Sequence, residues 1–157
     1  MEKWKVYTQE ARTQIDFAER SWIAFLAAES REDVRNVFFN LQHFLGHAAL
    51  VNKILEPRLG SERQLILLNH IDLSGLDLKP FRRLRNHLEH FDERLDKWGS
   101  KFHGNAFFDM NLVTGAKGFP ESAFLRVLDA HIFKFYGEAY DLDQLHNTLV
   151  AIESRMP

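Results

Sequence analysis

The chain contains no cysteine. That removes disulfides, thiolate nucleophiles and cysteine-ligated zinc together, and it fits a reducing, cytoplasmic location. Proline is scarce, with 4 residues, and neither proline nor serine collects into a linker. Without repeats or low-complexity segments to divide the sequence, residues 1–157 are expected to form a single domain. A long hydrophobic run is missing too. The longest charge-free stretch, between Arg35 and Lys53, carries Asn36, Asn40, Gln42, His43, His47 and Asn52, which hydrocarbon would penalise, so it reads as a buried core helix and no membrane contact is expected. Met1 to Glu10 alternate charged and aromatic residues without the apolar core of a secretion signal. There is no Gly-rich phosphate loop, no G-x-S-x-G and no H-E-x-x-H, which leaves nucleotide hydrolysis, esterase chemistry and zinc proteolysis without support. The net charge of −2 gives no long-range attraction for a polyanion, so any nucleic-acid contact must come from a local patch.

Hydrophobic residues at 45% and charged residues at 27% belong to an ordinary folded chain. Ile15, Ala18, Trp22, Phe25 and Leu26 recur at helical spacing and predict a first helix over about Thr8–Glu29, with Arg12 on its solvated side. Ser30-x-x-Asp33 resembles a capping box, after which a second helix runs to about Leu55, before Pro57. It is apolar nearly all round and suits the middle of a bundle. A short helix from Ser61 to about His70 follows, with Ser61 and Gln64 as its box, and Asp72 to Lys79 reads as a loop. Pro80 then opens a helix whose stripe Phe81, Leu84, Leu88, Phe91, Leu95 and Trp98 carries it to Gly99. Beyond it, Phe107, Phe108, Leu112, Val113, Phe124 to Val127 and Ile132 to Tyr136, with Thr114 to Gly118 as a turn, predict short antiparallel strands. Asp141-x-x-Gln144 starts a final helix with Leu142, Leu145, Leu149 and Ile152 facing inward. The expected fold is mainly α, a helical bundle with a small antiparallel β insertion near residues 105–137.

Chemistry is concentrated on the helix after Pro80, which reads Phe81-Arg82-Arg83-Leu84-Arg85-Asn86-His87-Leu88-Glu89-His90. At about 100° per residue, Asn86 and His90 stand one turn apart on the polar face, and Arg83 joins them. Arg85 lies roughly 140° from His90, so in one chain the two side chains diverge, and a second copy of the helix could close the gap. Lys79, Arg82 and Arg83 offer a local cationic patch for phosphates.

Arg85-Asn86-x-x-x-His90 resembles the R-N-x-x-x-H signature of the HEPN superfamily, and the predicted bundle around it is similar to the HEPN fold. The strands near residues 105–137 resemble a family-specific insertion. The resemblance implies a metal-independent endoribonuclease, possible toxin-antitoxin or defence roles, and a homodimer in which Arg and His of two protomers meet. RNA would be the substrate and a cognate antitoxin or regulatory protein a possible partner. The residue types suit that chemistry. Histidine, here His90, serves as base or acid near neutrality. Arg85 can hold phosphate oxygens and balance phosphorane charge, and Asn86 can orient the phosphate or the imidazole. No cofactor is expected.

Plainer readings stand beside this one. Arg85 can pair with Glu89 or Asp92 on an exposed helix, leaving a non-catalytic module that binds a protein or nucleotide. His43 and His47, with His87, could form a metal site in a His-rich bundle, although hydrogen-bonded core histidines are favoured because no Glu-x-x-His pattern accompanies them. Phe38, Phe39, Phe44, Phe107 and Phe108 are expected in the core. His103, His131 and His146 carry no legible signal.

Overall fold

A computed structural model describes residues 2–101, 109–112 and 124–157. Two long antiparallel helices form its centre, α1 (Lys3–Glu29) and α2 (Val34–Leu55). The buried stripe of α1 is Thr8, Ala11, Ile15, Ala18, Trp22, Phe25 and Ala28, and its alanines let α2 approach closely. Between the helices Glu32 takes a left-handed φ of 55°. Asp33, and not Ser30, caps α2 by accepting from the Asn36 N–H at 3.3 Å, while Ser30 closes α1. The second helix is less enclosed than its composition suggested. Phe38 and Phe44 are buried, whereas Phe39 is 59% exposed and meets the His43 ring at a tilt, with centroids 4.5 Å apart.

The short α3 (Glu62–Leu68) is capped by Ser61, whose hydroxyl accepts from the Gln64 N–H at 3.3 Å. Gln64 reaches back one residue further than a capping box would, accepting from the Gly60 N–H at 2.6 Å. Then come α4 (Lys79–Glu89) and α5 (Phe91–Ser100), where a single helix to Gly99 was expected. Phe81 and Leu84 of α4 are buried against the α2 side of the core. Full burial of such side chains contributes about 1.5–3 kcal/mol each.

Four strands follow: β1 (Asn111–Leu112), β2 (Arg126–Asp129), β3 (Ile132–Phe135) and β4 (Glu138–Asp141), in that spatial order. The pairs β2–β3 and β3–β4 are antiparallel, but β1 runs parallel to β2, and β4 lies beyond the expected range. Phe135 faces Glu138 across the two-residue turn Tyr136-Gly137, with φ of 51° and 80°, values that Gly137 tolerates at no steric cost. The expectations for Phe107, Phe108, Val113 and Thr114 to Gly118 lie outside the described residues. Finally α6 (Leu142–Ser154), capped by Asp141 accepting from the Gln144 N–H at 3.0 Å, lays Leu145, Leu149 and Ile152 on the core beside α1. Arg12 is not solvated but donates to the carbonyls of Met156 at 3.1 Å and Pro157 at 2.8 Å. Among the described residues no helix is long and apolar enough to cross a membrane.

The sheet is clasped to the helices by His131, in the β2–β3 turn. Its Nε2 meets Glu29 of α1 at 3.0 Å and its Nδ1 meets Asp143 of α6 at 2.9 Å, while Trp22 packs against the ring at 5.6 Å. Burial pulls the imidazole pKa down, but the hydrogen bonds and charges of the two carboxylates outweigh burial and raise it above its ordinary 6.5. A raised folded-state value gives stability that is fully present below the unfolded pKa and lost as pH climbs through the folded one. The stability lead of wild type over His131→Gln, measured by urea unfolding, should therefore be largest well below pH 6.5 and shrink as pH rises above it. A lead that grows with pH would contradict the clasp.

Candidate functional site

Helix α4 is held by its apolar stripe, so its remaining surface divides into three strips with different neighbours. Pro80 in the first turn loses nothing there, and the Asp77 carboxylate accepts from the Lys79 N–H at 3.1 Å.

The first strip faces α2 and holds Arg82, Arg85 and Glu89. Asn52, only 3% exposed in the leucine-rich wall of α2, governs it. Its side-chain carbonyl accepts from Arg85 Nη1 at 3.2 Å, and its amide donates to Glu56 Oε2 at 2.6 Å. Glu56 in turn receives a fork from Arg82 at 2.9 and 3.2 Å, and Lys53 pairs with Glu89 at 2.6 Å. The hydrogen bond from Lys53, ahead of its charge, holds the Glu89 carboxyl below the usual range. Together these contacts line one side of a groove of about 1030 Å³ enclosed by the end of α2, α3, residues 69–78 and the start of α4.

The second strip is the outer face, with Lys79, Asn86 and His90 all exposed. His90 leaves the helix, with φ −131° and ψ 44°, and becomes both the last cap of α4 and the first of α5. No glycine or proline marks this break. Its cause is tertiary, because turning α5 brings Phe91 onto Phe135 of the sheet at 6.0 Å and under Arg126 at 5.4 Å. The His90 ring is left 46% exposed, 3.5 Å from the Glu93 carboxylate.

The third strip faces the sheet. His87 is 6% exposed, accepts from Arg94 Nε at 3.2 Å through Nδ1 and meets Glu138 Oε2 at 3.2 Å through Nε2. Arg94 can only donate, so the ring proton sits on Nε2. Tyr140 also donates to Glu138, at 2.9 Å, and Arg83 approaches it to 4.0 Å. Burial pushes the Glu138 pKa up, yet the bonds from Tyr140 and His87 and the nearby charges hold it below its ordinary value. Burial, followed by the bond to Glu138, raises the Tyr140 hydroxyl.

Of the expected site residues, Arg85 is thus turned to the groove, Asn86 and His90 to solvent, and Arg83 to the sheet edge. Arg82, expected to hold substrate, is already forked by Glu56, and only Lys79 of the proposed phosphate patch makes no ion pair among the described residues. The alternative metal set does not assemble. His47 is bonded to Gln14 at 2.8 Å, its ring lies 6.3 Å from that of His43, and His87 is fixed on another helix face. Burial, then the neighbouring His43, lowers the His47 pKa. No group of three or more potential ligands is found among the described residues. Sequence reasoning missed Asn52, Lys53, Arg58 and Arg63. The four-residue spacing of Asn52 and Glu56 was the one signal available.

The chain matches no protein-family model, no curated protein and no solved structure.

The two histidines of α4 should separate cleanly in stability. His87→Ala empties a buried site and takes one partner each from half-buried Glu138 and Arg94, which should cost about 1–3 kcal/mol, while His90→Ala should stay within about 0.5 kcal/mol of wild type in chemical denaturation. Equal costs would contradict this division of the helix.

Proposed function

We propose that this chain is a HEPN-type domain that cleaves RNA in the cytoplasm without a metal, acting as a homodimer. The observation that carries the reading is the position of Arg85-Asn86-x-x-x-His90 at the exposed end of α4, with Arg85 fixed by Asn52 beside a groove and His90 released from the helix. Only one of the five N–H donors of Arg85 is used by Asn52, so the guanidinium keeps donors for phosphate oxygens. His90 withdraws the ribose 2′-hydroxyl proton, the 2′ oxygen attacks phosphorus, and Arg85 balances the charge of the phosphorane. The departing 5′ oxygen takes up the proton from the imidazolium, leaving a 2′,3′-cyclic phosphate. Asn86 orients the phosphate, and Lys79 guides the strand. Arg85 and His90 sit on different strips of one helix, so the complete site joins Arg85 of one protomer to His90 of the other, with the outer face of α4 at the two-fold axis.

A second reading has its own observation. Arg82 and Lys53 are already neutralised by Glu56 and Glu89, as in a surface built to bind a protein and not a polyanion. On that reading the fold is a non-catalytic module.

Cleavage of a mixed-sequence RNA in EDTA tests between them. His90→Ala and Arg85→Ala should each lower the rate at least about a hundredfold, with unfolding measured alongside because Arg85→Ala also deprives Asn52 of a donor. Wild-type rates in folded His90→Ala, or loss of activity on chelation, would remove the proposed mechanism.

A further inference from the structure

The groove beside Arg85 has features that cleavage does not use. Its floor is aliphatic, built from Leu55, Leu67, Ile71 and Leu78, and two further leucines stand on its wall, Leu59 at 85% and Leu68 at 67% exposure. Leucines this exposed around one concavity mark a surface that gains by being covered. The charges are equally uneven. Lys53 and Arg82 are matched by Glu89 and Glu56, but Arg58, Arg63 and Arg85 also line the groove and make no ion pair among the described residues. Arg63 donates one N–H to the Lys53 carbonyl at 3.1 Å and lies over the face of Tyr7, and Arg85 donates one to Asn52, so each keeps further donors. Asp72, the remaining acid, accepts from the Ser74 N–H at 2.8 Å.

Unpaired guanidiniums alone would suit any polyanion. Among the described residues, however, the lining contains no aromatic side chain on which nucleobases could stack, and stacking is the main sequence-tolerant source of single-strand affinity. Aliphatic floor and cationic rim complement an amphipathic helix with apolar side chains on one face and carboxylates beside them.

We propose that this groove docks an acidic amphipathic helix of a partner protein, its apolar face against Leu59, Leu68 and Ile71 and its carboxylates on Arg58, Arg63 and Arg85. The docking does not depend on the cleavage reading. If both hold, the docked helix covers Arg85 and silences the site.

Selection of a displayed library of short helical peptides against the wild-type protein tests this. Enriched sequences should carry Leu, Ile or Phe at helical spacing flanked by Glu and Asp. Their affinity, read by fluorescence anisotropy at fixed salt, should fall at least about tenfold in both Leu68→Asp and Arg58→Glu, the loss of one anchor or one charge contact. Both positions are exposed, and circular dichroism checks that the variants fold. RNA cleavage by Leu68→Asp should stay within about twofold of wild type, so a failed docking site and a failed nuclease are told apart. Failure to enrich acidic helices, or affinity indifferent to both variants, would overturn the proposal. So would displacement of the peptides by oligouridylate that itself loses affinity in the same variants, which would make the groove a nucleic-acid site. Dissociation of a wild-type dimer by Leu68→Asp would overturn it in favour of a self-interface.

Discussion

One buried amide fixes the geometry on which the candidate site depends. Asn52 is surrounded by the apolar wall of α2, where an unpaired amide would cost about 1–3 kcal/mol, so its two ends must be satisfied. Glu56 takes the donor end and Arg85 supplies the acceptor end. Because Arg85 reaches Asn52 from α4, and Glu56, at the end of α2, is itself forked by Arg82 of α4, satisfying Asn52 also sets the rotation of α4 against α2. Once that rotation is fixed, Arg85 faces the groove, Asn86 faces water and His87 is driven against the sheet.

The remainder of the helix follows from that constraint. Its apolar stripe and the His87–Glu138–Tyr140 cluster hold the core and sheet sides, which leaves the outer strip and the groove edge at Arg85 open to a partner or substrate. The break at His90 adds a consequence. It redirects α5 onto the sheet through Phe91 and leaves an exposed imidazole at the junction of two helices, on a residue whose backbone is bonded to both. A residue there can change partner without disturbing the core, which is what a proton-transferring group requires.

Much of the bundle was legible in the sequence because the apolar stripes of α1, α4 and α6 are regular and because Ser61 and Asp141 announce their helices by capping. The candidate motif was legible for the same reason, since the period of a helix places Arg85 and His90 on different sides. What was hidden depends on contacts between distant segments. The turn at His90 has no local breaker, and the clasp of His131 joins residues from α1 and α6 that lie far apart in the chain. Arg12 looked solvated until the end of the chain folded back over it. Composition likewise marked α2 as enclosed, yet Phe39 lies open, because hydrophobic residues at the surface are not excluded by any rule of packing.

The divergence of Arg85 and His90 makes the central claim testable without any further structure. If each complete site joins Arg85 of one protomer to His90 of the other, Arg85→Ala and His90→Ala subunits can rescue each other. In an equimolar mixture re-equilibrated through monomers, half of the dimers are mixed and each carries one intact site. RNA cleavage should then return to about a quarter of the wild-type rate, although each variant alone is inactive. A mixture no more active than its parents would contradict the shared site.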